Sequence, residues 1–313
     1  MPAKPNILVV GSINMDLAVR SPRMPAPGET VLGHGFKTSP GGKGANQAVA
    51  AARLQAKCAM IGAVGEDAFG QQLLANLKAE GVDCSGVGVT AEAPSGVAVI
   101  IVDGRGENSI VVASGANHEL SPDDVFSREA MFAKADVVLL QFELPMPTVR
   151  AAIDVARRHG CRIVLDPAPA PPRLNEELCR VDIISPNVTE AEMITRKRTG
   201  EERADMNIAS DLIARGAKAA VVKLGGRGCL LVSADGLMAR VEPFKVDILD
   251  TTAAGDAFAA ALAVAVASGR ELTDAARFAN AAGALACTRL GAQAAMPTLD
   301  EVRVLLADQA YND

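Results

Sequence analysis

Asp250-Thr251-Thr252-Ala253-Ala254-Gly255-Asp256 leads without a break into the apolar stretch 257–267. That stretch ends at Gly269–Arg270 and is too short to cross a bilayer, which takes about 20 residues. It reads as a buried, alanine-rich helix. The residues at 253 to 255 are small enough for backbone N–H groups to converge on an anion at the helix N-terminus, where the dipole also favours negative charge. Asp256, in the first turn, would stand beside that anion, placed to take a proton from an attacking hydroxyl. A plainer reading of the same string has Asp256 capping the helix and the small residues allowing tight packing.

Outward from this helix, short β-branched runs alternate with Ala- and Leu-rich helical patterns. Residues 7–11, 59–64, 136–142, 162–165, 181–185 and 219–224 read as strands. Residues 45–57, 67–80, 149–159, 206–215, 257–268 and 273–288 read as helices, with Ala45, Ala48, Val49 and Ala52 on one face of the first. This alternation requires an α/β fold, a mostly parallel sheet with helices on both faces. Two stretches break the rhythm. Residues 96–103 and 108–113 flank Gly104-Arg105-Gly106-Glu107 and read as an antiparallel hairpin, while 18–38 carries three prolines and three glycines amid short strand-like pieces. They are predicted to pair as a small sheet outside the main one, a lid over the site. The chain, 1–313, is expected to be a single domain with its lid formed by about 15–40 and 95–113.

A second glycine-rich turn opens a helix at Gly41-Gly42-Lys43-Gly44-Ala45-Asn46-Gln47. It is not a P-loop, because Lys43 is followed by Gly44 rather than Ser or Thr, and Lys37 stands where the first glycine belongs. Close backbone approach to a ligand remains possible there, with Lys43 and Asn46 as hydrogen-bonding groups. The first strand runs into Gly11-Ser12-Ile13-Asn14-Met15-Asp16, which places Asn14 and Asp16 on one side at the strand's carboxyl end. An amide beside a carboxylate suits bidentate contacts to neighbouring sugar hydroxyls.

Composition excludes several classes. With 49% hydrophobic and 22% charged residues the chain is globular rather than disordered. A net charge of −6, no Trp and one Tyr argue against a nucleic-acid partner. Residues 7–10 are too short an apolar run for a secretory signal, and no membrane segment is expected. The six cysteines form no C-x-x-C pair and read as packed, reduced thiols of a cytoplasmic protein. His34, His118 and His159 fit no metal-binding pattern; Met60, Met131 and Met193 read as core fillers, and Arg196-Lys197-Arg198 as a solvated helix end.

Taken together, the strings at 41–47 and 250–256 resemble the two motifs of the PfkB carbohydrate kinase family, and within it the ribokinases, from about residue 5 to about 306. Asn14, Asp16, Glu143 in Q-F-E-L-P, Asp166 in D-P-A-P-A, and Asn187 with Glu190 in N-V-T-E fall in register with the same pattern. The resemblance implies a three-layer α/β/α ribokinase-like fold with a mostly parallel central sheet and a small β-sheet lid, often the clasp of a homodimer. It implies transfer of the γ-phosphoryl of ATP to the 5-hydroxyl of D-ribose. Asp256 would be the base, with the amides of Ala253, Ala254 and Gly255 as the anion hole. Asn14, Asp16, Gly42, Lys43, Asn46 and Glu143 would hold the sugar. ATP would meet Asn187, the turn Lys223-Leu224-Gly225-Gly226-Arg227-Gly228, Gly255 and Asn280, with Mg²⁺ organised near Asn187 and Glu190 through water. A monovalent cation, K⁺, would lie at Asp250, Thr252, Ala286, Arg289 and Gly291. The sequence departs from the family at Ala295, where a serine hydroxyl commonly completes that shell.

Other kinases of the same family, acting on deoxyribose, fructose, a nucleoside or a ketodeoxy acid, are the nearest alternatives. The polar set at 14, 16, 43 and 46 favours a polyhydroxy pentose over a nucleoside, whose base would want an apolar wall. A nicotinamide oxidoreductase would need a G-x-G-x-x-G fingerprint that the first strand lacks. A non-catalytic sugar-binding protein would not need Asp256 beside an anion site. The lid hairpin carries Val97, Val99 and Ile101 on one face, which two lids packed together would cover.

Overall fold

The computed structural model describes residues 3–171, 174–200 and 202–310. Its main sheet has nine strands in the order β13-β12-β11-β10-β9-β8-β1-β4-β5. In chain order these are β1 (Asn6–Val10), β4 (Lys57–Gly65), β5 (Asp83–Thr90), β8 (Val137–Leu140), β9 (Arg162–Leu165), β10 (Ile183–Ile184), β11 (Ala219–Lys223), β12 (Cys229–Ser233) and β13 (Met238–Val241). From β5 across to β11 every pairing is parallel; β12 and β13 add an antiparallel edge. Along β1, Ile7 and Val9 join one hydrophobic cluster while Leu8 and Val10 join another. Both faces of the sheet are therefore covered, which is why its strands read as continuous apolar runs. The first cluster includes Ala45, Val49 and Ala261 from helices Lys43–Arg53 and Ala254–Ala267; the second includes Ile153 and Leu212 from helices Met146–Arg158 and Glu202–Ala214. The fold is a three-layer α/β/α stack.

The second sheet has four strands in the order β3-β2-β6-β7, formed by β2 (Asn14–Arg20), β3 (His34–Gly41), β6 (Gly96–Val102) and β7 (Asn108–Ala113). β2 pairs with β6 in parallel and with β3 antiparallel, and β6 pairs antiparallel with β7. Pro40 lies on β3, an edge strand, where a missing N–H breaks no ladder.

Three local expectations change. Asn14 and Asp16 do not extend β1: the chain leaves the main sheet after Val10, and both residues sit on β2 of the small sheet. The helix expected at 45–57 is Lys43–Arg53; it stops early because Gln55 has a φ of 67°. Met193 fills no core gap, being 44% exposed. Among the described residues no helix is long and apolar enough to cross a membrane.

Candidate active site

The alanine-rich helix begins at Ala254, three residues before its apolar run, so Asp256 lies in its first turn. Ala253 takes a left-handed conformation (φ 58°) at the N-cap, and no side chain caps this end. Ala253, Ala254 and Gly255 line the adjoining cavity with the helix dipole behind them, the Ala254 N–H donating back to the Thr251 carbonyl at 3.3 Å. Asp256 itself is 4% exposed. Burial first, then the nearby Asp166 and Glu143 charges, push its carboxyl up to about 6 from 3.8, against the pull of Lys43 and the Asn46 amide. It accepts from Asn46 Nδ2 at 2.9 Å and from Gln47 Nε2 at 3.2 Å.

The helix that supplies those amides follows directly from the small sheet. Gly42, with φ 87°, is its N-cap; a Cβ there would come 2.7 Å from the Asn14 nitrogen. Gly44 is forced too, since a Cβ would lie 2.5 Å from the Gly11 carbonyl carbon. Around this turn, Glu143 accepts from Ser12 Oγ and from the Lys43 N–H. Asn117, which sequence reasoning missed, holds the start of β2: its Oδ1 accepts from Ile13 N at 2.8 Å and its Nδ2 donates to Asn14 Oδ1 at 2.8 Å. Asp16 is pushed up to about 7 by burial and then by Glu143 and Asp256. Lys43 is pushed up as well, for a different reason: Asp256, with Asp166, Glu143 and Glu190, holds its ammonium protonated against burial. The Asn46 Oδ1 is buried without a hydrogen-bond partner among the described residues.

A cavity of about 420 Å³ opens from Lys43 and Asp256 toward the carboxyl ends of β9 to β11. Asn187, Glu190, Lys223, Gly225, Gly226, Gly228, Ala253, Ala254, Gly255 and Asn280 line it. Phe244, Val246 and Ile248 add an apolar wall that the sequence reading did not assign. Lys223 Nζ bonds Asp166 Oδ1 at 2.7 Å and lies 3.5 Å from where a Gly255 Cβ would be, in van der Waals reach of that backbone. Asn187 and Glu190 cap the helix Val188–Thr195 reciprocally. Burial and Asp166 raise the Glu190 carboxyl, with Lys223 opposing. Two residues of the 223–228 turn do not line the cavity: Leu224 is buried, and the Arg227 guanidinium is held by Asp205 at 2.6 Å.

The segments at 250–252 and 286–291 are laced together. Asp250 Oδ1 accepts from Thr252 N and Oγ1 (2.9 and 2.6 Å), and Oδ2 from Gly291 N at 2.9 Å. The N–H groups of Leu249 and Asp250 both donate to the Cys287 carbonyl. Arg289 pairs with Glu301, and Ala295 is fully buried.

The pattern that defines the pfkB family of carbohydrate kinases matches residues 4–299. This chain belongs to that family. As a carbohydrate kinase it is 41% identical over 302 residues to the ribokinase of Bacillus subtilis, spanning 96% of this chain and 99% of that one. It is 40% identical over 295 residues to the ribokinase of Haemophilus influenzae, spanning 94% and 96% of the two chains. The structure of Arabidopsis thaliana ribokinase complexed with ribose and ATP matches its fold with a TM-score of 0.90 at 33% identity, over 97% of this chain and 99% of that one. The three-layer α/β class and the reading of the chain as a sugar kinase are thereby established.

Proposed function

We propose that this carbohydrate kinase transfers the γ-phosphoryl of ATP to the 5-hydroxyl of D-ribose, giving D-ribose 5-phosphate. The observation that carries the proposal is the position of Asp256: a buried carboxylate at an uncapped helix N-terminus, hydrogen-bonded to Asn46 on one side and lining the 420 Å³ cavity. Asn14, Asp16, Gly42, Lys43, Asn46 and Glu143 bind the sugar, and Asp256 takes the proton from its hydroxyl. The amides of Ala253, Ala254 and Gly255 stabilise the charge on the transferring group. ATP lies along Asn187, Lys223 and the 225–228 glycines, with Asn280 and the wall of Phe244, Val246 and Ile248 at its base end.

Among the described residues no three His, Cys, Asp or Glu side chains are spaced to hold a metal ion by themselves. Mg²⁺ fits as an ion carried by the nucleotide phosphates, facing Asn187 and Glu190 through water, where it would neutralise phosphate charge. The lacing of 250–252 to 286–291 fits a K⁺ held by carbonyl oxygens beside the anion hole, with water or a carbonyl where Ala295 offers no hydroxyl. The small sheet exposes Val99 and Val111, directly paired across β6 and β7. We assign that face to a homodimer contact, and sedimentation showing only monomer at micromolar concentration would remove it.

The test is ADP release with Mg·ATP and D-ribose, 2-deoxy-D-ribose, D-fructose or adenosine as acceptor, each with and without K⁺. Highest turnover on ribose, raised by K⁺, is expected. Turnover indifferent to K⁺ would remove the cation site alone. A preference for 2-deoxyribose would move the substrate within the family, and the absence of turnover on every acceptor would defeat the proposal.

A further inference from the structure

Gln47 is fully buried, does not line the 420 Å³ cavity and touches Asp256. Its Nε2 donates to two carboxylates at once, Asp256 Oδ1 at 3.2 Å and Asp166 Oδ2 at 3.0 Å. The opposite end of the same amide accepts from Gln141 Nε2. That contact settles which way Gln47 faces: reversed, its carbonyl would meet two carboxylates and its NH₂ group would meet another NH₂ group. Gln141 is itself held one way at a cost, since its own Oε1 is buried without a partner among the described residues. Gly11 leaves room for that oxygen, which would lie 2.1 Å from a Cβ there. A buried carbonyl left unpaired is destabilising, and here it serves to orient the neighbouring amide.

The contacts extend through the site. Asp166, held by Gln47, gives its other oxygen to Lys223, whose ammonium lies beside the Gly255 end of the anion-binding helix. We propose that Gln47 is a positioning residue for phosphoryl transfer: its amide locks the Asp256 and Asp166 carboxylates in one geometry, and Gln141 fixes that amide. The sugar-side base and the nucleotide-side lysine are then set by a single side chain in the 43–53 helix. The proposal rests on Asp256 acting as the base.

Asp256 is faced by Lys43 and Asn46 from the 43–53 helix, by Asp166 after β9, by Glu143 after β8 and by Asp16 from β2. Removing the Gln47 donor leaves the ionised base surrounded by carboxylates with fewer N–H partners. The test measures kcat, KM for the best acceptor sugar and the pH dependence of kcat in Gln47→Met, Gln141→Met and Asp256→Asn. Gln47→Met is expected to lower kcat about 10- to 100-fold, leave KM for the sugar within about threefold, and move the acid limb of kcat to higher pH. Gln141→Met is expected to do the same more weakly, about 3- to 10-fold. If Gln47→Met does not fold, Gln141→Met decides.

Folded variants with wild-type kcat and an unmoved acid limb, beside an inactive Asp256→Asn, would overturn the positioning role and leave the base in place. An active Asp256→Asn would instead overturn the base, and this inference with it. A loss of thermal stability with no change in the pH limb would make both glutamines packing groups only.

Discussion

Replacing Asp256 by Asn is expected to make the folded protein more stable while removing its activity. A carboxyl raised from 3.8 to about 6 costs about 3 kcal/mol to keep ionised at neutral pH. The attraction of Lys43 is already inside that balance, because it opposes the shift. An amide at 256 carries no such cost, but it keeps one acceptor oxygen for two donors, Asn46 Nδ2 and Gln47 Nε2. The displaced hydrogen bond returns about 1–2 kcal/mol.

The net expectation is a gain of about 1–2 kcal/mol at pH 8, or about 2 °C in Tm. Its pH dependence has a definite sign. Between 3.8 and about 6 the folded state binds more protons at this site than the unfolded chain does, so the wild type recovers stability as pH falls through that window. At pH 5 about half of the ionisation cost remains, and the advantage of the variant should shrink by about 1.4 kcal/mol relative to pH 8. Urea denaturation of both proteins at pH 5 and pH 8, with kcat measured alongside, is the assay; kcat should fall by at least ~10²-fold. A variant less stable than wild type at pH 8, or one whose advantage is the same at both pH values, would refute the reasoning.

Asp16 titrates at about 7 because burial and two neighbouring carboxylates oppose its charge, so kcat/KM for the sugar should rise with pH through that value. Asp16→Asn should remove this limb and lower kcat/KM by about tenfold or more, read from initial rates between pH 5.5 and 8.5. Gly44→Ala would set a Cβ 2.5 Å from the Gly11 backbone, with no flexible atom to yield. Overpacking of this kind costs about 1–3 kcal/mol, visible as a lower urea midpoint, whereas Gly226→Ala, which meets nothing within 4 Å, should leave the midpoint within error.

The helix 254–267 and its acidic first turn were legible because the signal is local: small residues, then Asp, then eleven apolar positions with no break. Asn14 and Asp16 lie on a different strand from the one their pattern suggests. Alternation along 14–16 looks the same whether the strand continues β1 or begins a new sheet, and only the tertiary path at Gly11–Ile13 distinguishes the two. β3 gave little pattern, since most of its residues are exposed and no apolar face repeats along His34–Gly41. Gln47, Gln141 and Asn117 lay outside sequence reasoning for a different reason. A buried amide acts through partners about 100 residues away in the chain, and no spacing rule links such positions. The apolar wall at Phe244, Val246 and Ile248 alternates like an ordinary short strand, so nothing local marked it as cavity lining.

β2 carries Asn14 and Asp16, and β3 runs without a spacer through Gly41 and Gly42 into the helix that bears Lys43 and Asn46. The small sheet and the four residues proposed to hold the sugar are thus one piece of chain. Any displacement of the small sheet would carry the two proposed contacts on β2 with it and pull on the two that follow Gly42. Such a machine has no separate door: on the proposed reading the small sheet and the sugar contacts can only shift together, around a base that is already buried. A sugar bound on the proposed contacts would therefore tie the small sheet to the 43–53 helix from both sides of Gly42.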